Sequence, residues 1–238
     1  MLLLRIFLLP VDLVPQLVGP RYGLYLWFFS VAPPWLTARL GRLRAVRALD
    51  HAVRKVPAYE HFLAFNGSRR DGGDPIVAPP MEKANYISRY SPQERCLNGV
   101  IPMGTAIDES SGSTGTPYNW VRSPVERHVS HIAVRHFVRY SFGDGDWITI
   151  NAFSMGAWAT GINMGIGFQR NRIVKHTGAD MDKVFSTMEF FGPQYRYLIC
   201  GYPPFLKRII DTAKERRFPL ERYRLMALLG GEGKSEGL

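Results

Sequence analysis

The sequence has few cysteines, fewer acidic than basic residues, and no long uninterrupted hydrophobic run. Cys96 and Cys200 are its two cysteines, which excludes a disulfide framework and a multi-cysteine metal site and makes a reducing cytoplasm the expected location. The sequence has 30 Lys and Arg residues and 20 Asp and Glu residues, which gives a net charge of +10. This charge favours an anionic partner, which composition alone does not identify as nucleic acid, lipid or nucleotide. Because 46% of the 238 residues are hydrophobic, the chain can form a large core.

The first 36 residues are strongly apolar, but charged residues and prolines interrupt them at Arg5, Pro10, Asp12, Pro15 and Pro20. The interruptions come before the run reaches the roughly 20 residues of a membrane-spanning helix, and they also argue against a signal peptide. The later part of this segment, residues 22–35, is rich in aromatic residues, and the next residues include Arg39, Arg42, Arg44 and Arg47. Two interpretations stay open: a helical cap packed on the main domain, which we favour, and peripheral membrane contact through residues 1–47.

Helical periodicity over residues 36–56 predicts an amphipathic helix that ends before Pro57. Its arginines are interpreted as a solvated face, because no nucleic-acid-binding motif accompanies them, and no nucleic-acid partner is predicted. Residues 66–75 have the composition of a loop. A further helix is predicted to begin at Pro124, after Ser123 as its N-cap.

Three segments are typical of strands, at residues 146–153, 195–204 and 224–233. Between the last two, residues 205–218 predict an amphipathic helix whose inward residues are Phe205, Ile209, Ile210 and Ala213. Strands that alternate with helices indicate an α/β fold with right-handed crossovers. We therefore expect an apolar and basic helical segment over residues 1–65 and an α/β domain over residues 66–238.

Residues 110–117, with the sequence SSGSTGTP, combine hydroxyl-bearing side chains with two glycines. Glycines let the backbone approach an anion, successive amides can form a concave nest, and hydroxyls can bond phosphate oxygens. The Walker pattern is absent. By composition alone a phosphate loop and a solvated linker are equally good interpretations.

The other chemically notable residues are interpreted as structural, and no metal site is predicted. His128, His131 and His136 do not have a spacing that brings three ligands together on one helix. Cys200 lies in a predicted buried strand and is interpreted as a structural thiol. The carboxylates within residues 143–146 are interpreted as part of a turn.

Residues 110–117 resemble the phosphate loop of the adenylate-forming superfamily, the acyl-CoA synthetases and their relatives. Within it, the sequence is most similar to the phenylacetate-CoA ligase and coenzyme F390 synthetase branch. Five more passages agree in order and approximate spacing, at residues 56–62, 79–90, 145–161, 200–209 and 228–238. The resemblance implies an α/β fold, the incomplete N-terminal domain of an adenylate-forming enzyme, with an N-terminal helical segment before it.

The resemblance also implies a function: an ATP-dependent, AMP-forming carboxylate-CoA ligase that activates an acid as acyl-adenylate, with Mg²⁺ and coenzyme A. By position, the residues that bind ATP are Ser110, Ser111, Gly112, Ser113, Thr114, Gly115 and Thr116 at the phosphates and Gly230, Gly231 and Glu232 at the adenine. Trp158, Gly161 and Tyr202 match the acyl-binding wall, which implies an aromatic or apolar small-molecule carboxylic acid. Thr116 stands where many relatives carry Lys, so one phosphate-binding cation is missing.

Members of the superfamily continue with motifs for Mg²⁺ and ribose, a hinge, and a small domain that carries a catalytic Lys. No catalytic residue is assigned here, and the chain by itself is expected to be inactive. Self-association is expected as well, through uncovered strand edges and apolar surface. The alternative is a non-catalytic, membrane-surface or partner-binding remnant.

Overall fold

The computed structural model describes residues 16–67, 78–110 and 117–231. Its contacts divide the chain into two compact units. One comprises Met1–Ala106 with Tyr118–Ser123, and the other comprises Ile107–Pro117 with Pro124–Leu238. The division at residue 65 expected from the sequence stays a prediction.

The first unit is mainly helical. Its helices are α1 (Tyr22–Val31), α2 (Pro34–Lys55) and α3 (Pro57–Phe65), with a π-helical turn at Lys83–Ile87, a 3₁₀ turn at Leu97–Gly99 and a short strand, β2 (Asn119–Arg122). Helices α2 and α3 both have proline in their first turn, where the missing N–H costs nothing. The predicted amphipathic helix is thus confirmed as α2. A small aromatic core holds this unit together, formed by Val53, Ala58, Tyr59, Phe62, Leu63, Tyr86 and Tyr90.

The second unit alternates helices and strands after β1 (Ala106–Glu109), most of which belongs to it. In chain order these are α4 (Pro124–Phe142), β3 (Trp147–Asn151), α5 (Ala159–Gln169), β4 (Ile173–His176), α6 (Met181–Phe191), β5 (Arg196–Gly201), α7 (Pro203–Glu215) and β6 (Arg224–Leu229). The expected α/β fold is confirmed, as are the helix start at Pro124 and the three predicted strands, observed as β3, β5 and β6.

Strands β3 to β6 form a parallel sheet in the order β4-β3-β5-β6. From β3 the chain passes outward to β4, then crosses back to β5 on the other side of β3. Strand order therefore reverses between β3 and β5. In open α/β sheets this reversal leaves a crevice at the carboxyl ends of the strands, where ligands bind.

Helices cover both faces of the two central strands, β3 and β5. On one face, Ile148, Ile150, Tyr197 and Ile199 pack with residues of α6 and α7. On the other, Trp147, Leu198 and Cys200 pack with residues of α4 and α5. Because both faces of β3 and β5 are buried, the sequences of these two strands are nearly continuous apolar runs.

One predicted core position is wrong. Helix α7 buries Pro203, Leu206, Ile209 and Ala213, whereas Ile210 is 51% exposed. The buried residues recur at intervals of three and four, so Ile210, one residue after a buried position, is turned away from that face. Leu206 occupies the inward position that the sequence analysis did not assign.

Candidate active site

The carboxyl edge of the sheet brings together segments that follow three neighbouring strands. After β3 comes a segment of residues 152–155, the β3 exit segment. The Ala152 N–H donates to the Cys200 carbonyl (2.8 Å), and the Gly230 N–H donates to the Gly201 carbonyl (3.3 Å). The chain segments that leave β3, β5 and β6 therefore lie side by side at the reversal of strand order.

Two predicted adenine-pocket residues lie against aromatic rings at this edge. The rings of Phe153 and Tyr202 meet edge to face, with centroids 5.7 Å apart. A Cβ on Gly231 would lie 2.0 Å from Tyr202 Cε1, and a Cβ on Gly230 would lie 3.3 Å from Phe153 Cζ. Gly231 also has φ +99°, a conformation that strongly favours glycine. The structure thus places Gly230 and Gly231 together with Tyr202, one of the predicted wall residues.

The strand that leads into the predicted phosphate loop is attached to the same region. The Glu109 N–H donates to the Ala157 carbonyl at 2.8 Å, and Glu109 forms a parallel bridge with Trp158. Ser110 therefore follows directly on a residue that is fixed to the β3–α5 connection. Ser111, Gly112, Ser113, Thr114, Gly115, Thr116 and Glu232 lie outside the described residues.

The other two predicted wall residues belong to the β3–α5 connection and to α5. Trp158 directly precedes α5, and Gly161 is buried in its first turn. A Cβ on Gly161 would lie 2.2 Å from the Ser154 carbonyl oxygen, so the first turn of α5 packs directly on the β3 exit segment. The buried Asn151 side chain strengthens this contact, because its Nδ2 donates to the Gly161 carbonyl at 2.8 Å.

A polar network that the sequence analysis missed links β1 to helices α4 and α5. Asn163 Nδ2 donates to Asp108 Oδ2 (3.2 Å) and to the Ala159 carbonyl (2.7 Å). Asn163 Oδ1 lies 3.3 Å from His131 Nε2, which donates in this arrangement. Asp108 and His131 are both buried. Side chains of α4 and α5 therefore hold the strand that precedes the predicted phosphate loop.

Burial sets the protonation of His131. Desolvation lowers its pKa from the ordinary value of 6.5, the hydrogen bond with Asn163 opposes this effect, and the neighbouring Arg127, Arg170 and His128 lower the pKa further. The folded chain therefore favours the neutral imidazole, with its proton on Nε2.

We predict that His131→Gln makes stability less sensitive to acid. As the pH falls through 6.5, the unfolded chain takes up a proton at residue 131 more readily than the folded chain, so folding loses stability. Glutamine keeps a donor for Asn163 but does not titrate. Urea unfolding at pH 7.5 and 5.0 should show a smaller loss for the variant. Equal losses in both proteins would contradict this role of His131.

The remaining candidates do not add to the site. Cys200 is buried in β5, and burial raises the pKa of its thiol, as expected for a structural cysteine. Asp144, in the turn before β3, accepts a hydrogen bond from Arg139 Nε at 2.8 Å. Within the described ranges, no three His, Cys, Asp or Glu side chains cluster as a metal site. Nor does any described helix have the length and apolar character needed to cross a bilayer.

No protein-family model and no curated protein sequence matches the chain. Among solved structures it is similar to 2-hydroxyisobutyryl-CoA ligase. The open conformation of that ligase, in complex with 2-HIB-AMP and CoA, is 14% identical with a TM-score of 0.70, over 85% of this chain and 49% of the ligase. In the thioesterification state the identity is 14% and the TM-score 0.70, over 84% of this chain and 44% of the ligase.

A postadenylation-state structure of the same ligase, in complex with 2-HIB-AMP, is 13% identical with a TM-score of 0.66 and the same coverage as the second. The chain thus spans about half the length of the ligase structures it matches. Identities this low carry information about the fold alone. Over the matched part, the chain has an α/β fold similar to that of 2-hydroxyisobutyryl-CoA ligase.

Proposed function

We propose that this chain is the nucleotide-binding N-terminal part of an ATP-dependent, AMP-forming carboxylate-CoA ligase of the phenylacetate-CoA ligase type. The observation that carries the proposal is the attachment of Glu109 to the β3–α5 connection. Through it, the Ser/Thr/Gly-rich segment starts beside the crevice where ligands bind in parallel α/β sheets. The ligase of similar fold was crystallised with an AMP-linked acid and CoA, which supports the same reaction class.

The donors of the loop suit phosphate. Hydroxyls from Ser111, Ser113 and Thr114 can stabilise the charge of a leaving pyrophosphate, together with backbone amides that Gly112 and Gly115 allow to approach it closely.

We assign Gly230, Gly231 and Glu232 to the adenine. The absence of side chains at the two glycines leaves the backbone close to the Phe153 and Tyr202 rings, an apolar setting that suits a planar base.

We assign Trp158, Gly161 and Tyr202 to the wall around the acid. Tyr202 contacts Phe153 and Gly161 contacts Ser154, so these two wall residues flank the β3 exit segment. An aromatic or otherwise apolar carboxylic acid fits such a wall best. Coenzyme A is the proposed acceptor.

Mg²⁺ is proposed to bind with ATP. This ion is commonly held by one or two carboxylates plus substrate phosphate oxygens. A cluster of three acidic or His ligands, which the described part of the chain does not contain, is therefore not required.

Both the cytoplasmic location and self-association stay predictions. For self-association, the candidate surface is β6, whose Met226 and Leu229 are about half exposed.

The proposal is tested with the 238-residue chain by calorimetric titration with MgATP and by ATP–pyrophosphate exchange with phenylacetate. We expect binding without exchange, because the chain corresponds to about half of the ligase it resembles. Absence of nucleotide binding by the folded chain would contradict the proposed site. Exchange above background would show instead that the chain catalyses adenylation alone.

A further inference from the structure

Helix α1 is apolar, and none of its residues is fully buried. Trp27 is 60% exposed, Phe29 55% and Val31 56%, and Trp35 at the start of α2 is 65% exposed. Helices of water-soluble proteins normally bury their apolar stripe, and exposed apolar patches of this kind mark interaction sites. The helical cap, the interpretation favoured from sequence, stays a prediction.

The charge of the same segment has one sign. Every Lys, Arg, Asp or Glu between residues 13 and 49 is an arginine, at Arg21, Arg39, Arg42, Arg44 and Arg47. The four on α2 are exposed. The next acidic residue, Asp50, forms an ion pair with Arg54. Exposed aromatic and aliphatic side chains are thus followed by a stretch of helix in which every charged residue up to Leu49 is an arginine.

We propose that residues 21–47, the α1–α2 surface, bind the surface of an anionic lipid bilayer. At about 1.5 Å per residue, the ten residues of α1 reach about 15 Å, half the thickness of the hydrocarbon core. Such a helix lies in the interface, with tryptophan and phenylalanine among the acyl chains and arginines on the anionic headgroups.

Charge complementarity favours this occupant over two others. A second copy of the same surface would bring five arginines against five arginines, and like charges repel. A nucleic acid would use the arginines and stack on the aromatic rings, but it would leave Leu24 and Val31 exposed to water. A bilayer satisfies the arginines, the aromatic rings and the aliphatic side chains together.

The test is co-sedimentation of the full chain with phosphatidylcholine vesicles that contain or lack phosphatidylglycerol. We expect binding to the anionic vesicles that high salt weakens, and little binding to the neutral ones. Trp27→Ser/Phe29→Ser should weaken binding by at least about tenfold. The control is Phe190→Ser on α6, which removes an aromatic ring that is 82% exposed and should have almost no effect.

A second pair of variants tests the arginines. Arg39→Glu/Arg42→Glu/Arg44→Glu should also weaken binding by at least about tenfold, since each cation near an anionic surface contributes to binding. The control Lys207→Glu/Arg208→Glu/Lys214→Glu makes the same change in net charge at exposed positions of α7. It should weaken binding much less. Circular dichroism of each variant verifies that it is folded.

Three results would overturn the proposal. They are equal binding to neutral and anionic vesicles, equal loss of binding in the controls, and self-association without lipid that Trp27→Ser/Phe29→Ser abolishes. The last would identify a second copy as the occupant. None of them bears on nucleotide binding, which is measured without vesicles.

Discussion

Replacing Ser111 and Thr114 together by alanine is expected to weaken MgATP binding to the 238-residue chain by about a hundredfold. Each hydroxyl is proposed to donate to a charged phosphate oxygen, and a hydrogen bond to a charged group contributes about 1.5–3 kcal/mol. Two such losses correspond to about two decades or more in Kd. Calorimetric titration measures the change directly.

The matched control removes two hydroxyls from helices α6 and α7, away from the loop in sequence. Ser186 on α6 is exposed, and its Oγ donates to a carbonyl of its own helix; Thr212 lies on α7. Ser186→Ala/Thr212→Ala should leave the Kd for MgATP within about twofold. If the loop variant and this control bind MgATP equally well, residues 110–116 are a linker and not a phosphate site.

Gly161→Ala is expected to lower the free energy of unfolding by about 2 kcal/mol or more. The added methyl group would lie 2.2 Å from the backbone oxygen of Ser154. A backbone atom cannot rotate away as a side chain can, so the β3 exit segment or α5 must shift. Because the same segment carries Phe153 against Tyr202, we also expect weaker binding of the acid and of ATP.

Gly41→Ala is the control for this substitution. Gly41 is also inside a helix, α2, but a Cβ there would meet nothing within 4 Å. Alanine at an open helical position should stabilise by about 0.5–1 kcal/mol. Urea unfolding should therefore give changes of opposite sign, and a loss of stability in both variants would contradict the steric account.

The elements that the sequence predicted correctly are those with strong local signals. Pro124 begins α4 as expected, and β3 and β5 are apolar runs because both of their faces are covered. Helix α6 also had usable signals. Asp180 caps it by accepting from the Lys183 N–H (3.0 Å), and Gly192, with φ +77°, ends it.

Other features depend on pairings between distant residues. Helix α5 forms in a glycine-rich segment, where local propensity favours turns, because its glycines allow close packing on the β3 exit segment and on α4. The edge strand β4 is short and mostly exposed, so it lacks the alternation that marks a strand. Similarly, Asp108, Asn163 and His131 are separated by more than 20 residues along the chain. No local pattern predicts that their side chains meet.

The positive charge of the chain is proposed to serve the lipid surface more than the nucleotide. Five arginines belong to the α1–α2 surface, where they are proposed to meet lipid headgroups. The proposed phosphate loop, in contrast, contains no Lys or Arg. Nucleotide binding should therefore depend on hydroxyls and amides more than on charge, with a weak dependence on salt.

The central claim is that nucleotide binds at the carboxyl edge of the sheet, and photolabelling with 8-azido-ATP tests it most directly. The azide marks the adenine, so after trypsin digestion the label should lie in the peptide of residues 225–234, which contains Gly230, Gly231 and Glu232. Excess ATP should prevent this labelling. Label that resists ATP, or that lies only among the arginine-containing peptides of residues 1–47, would contradict the claim.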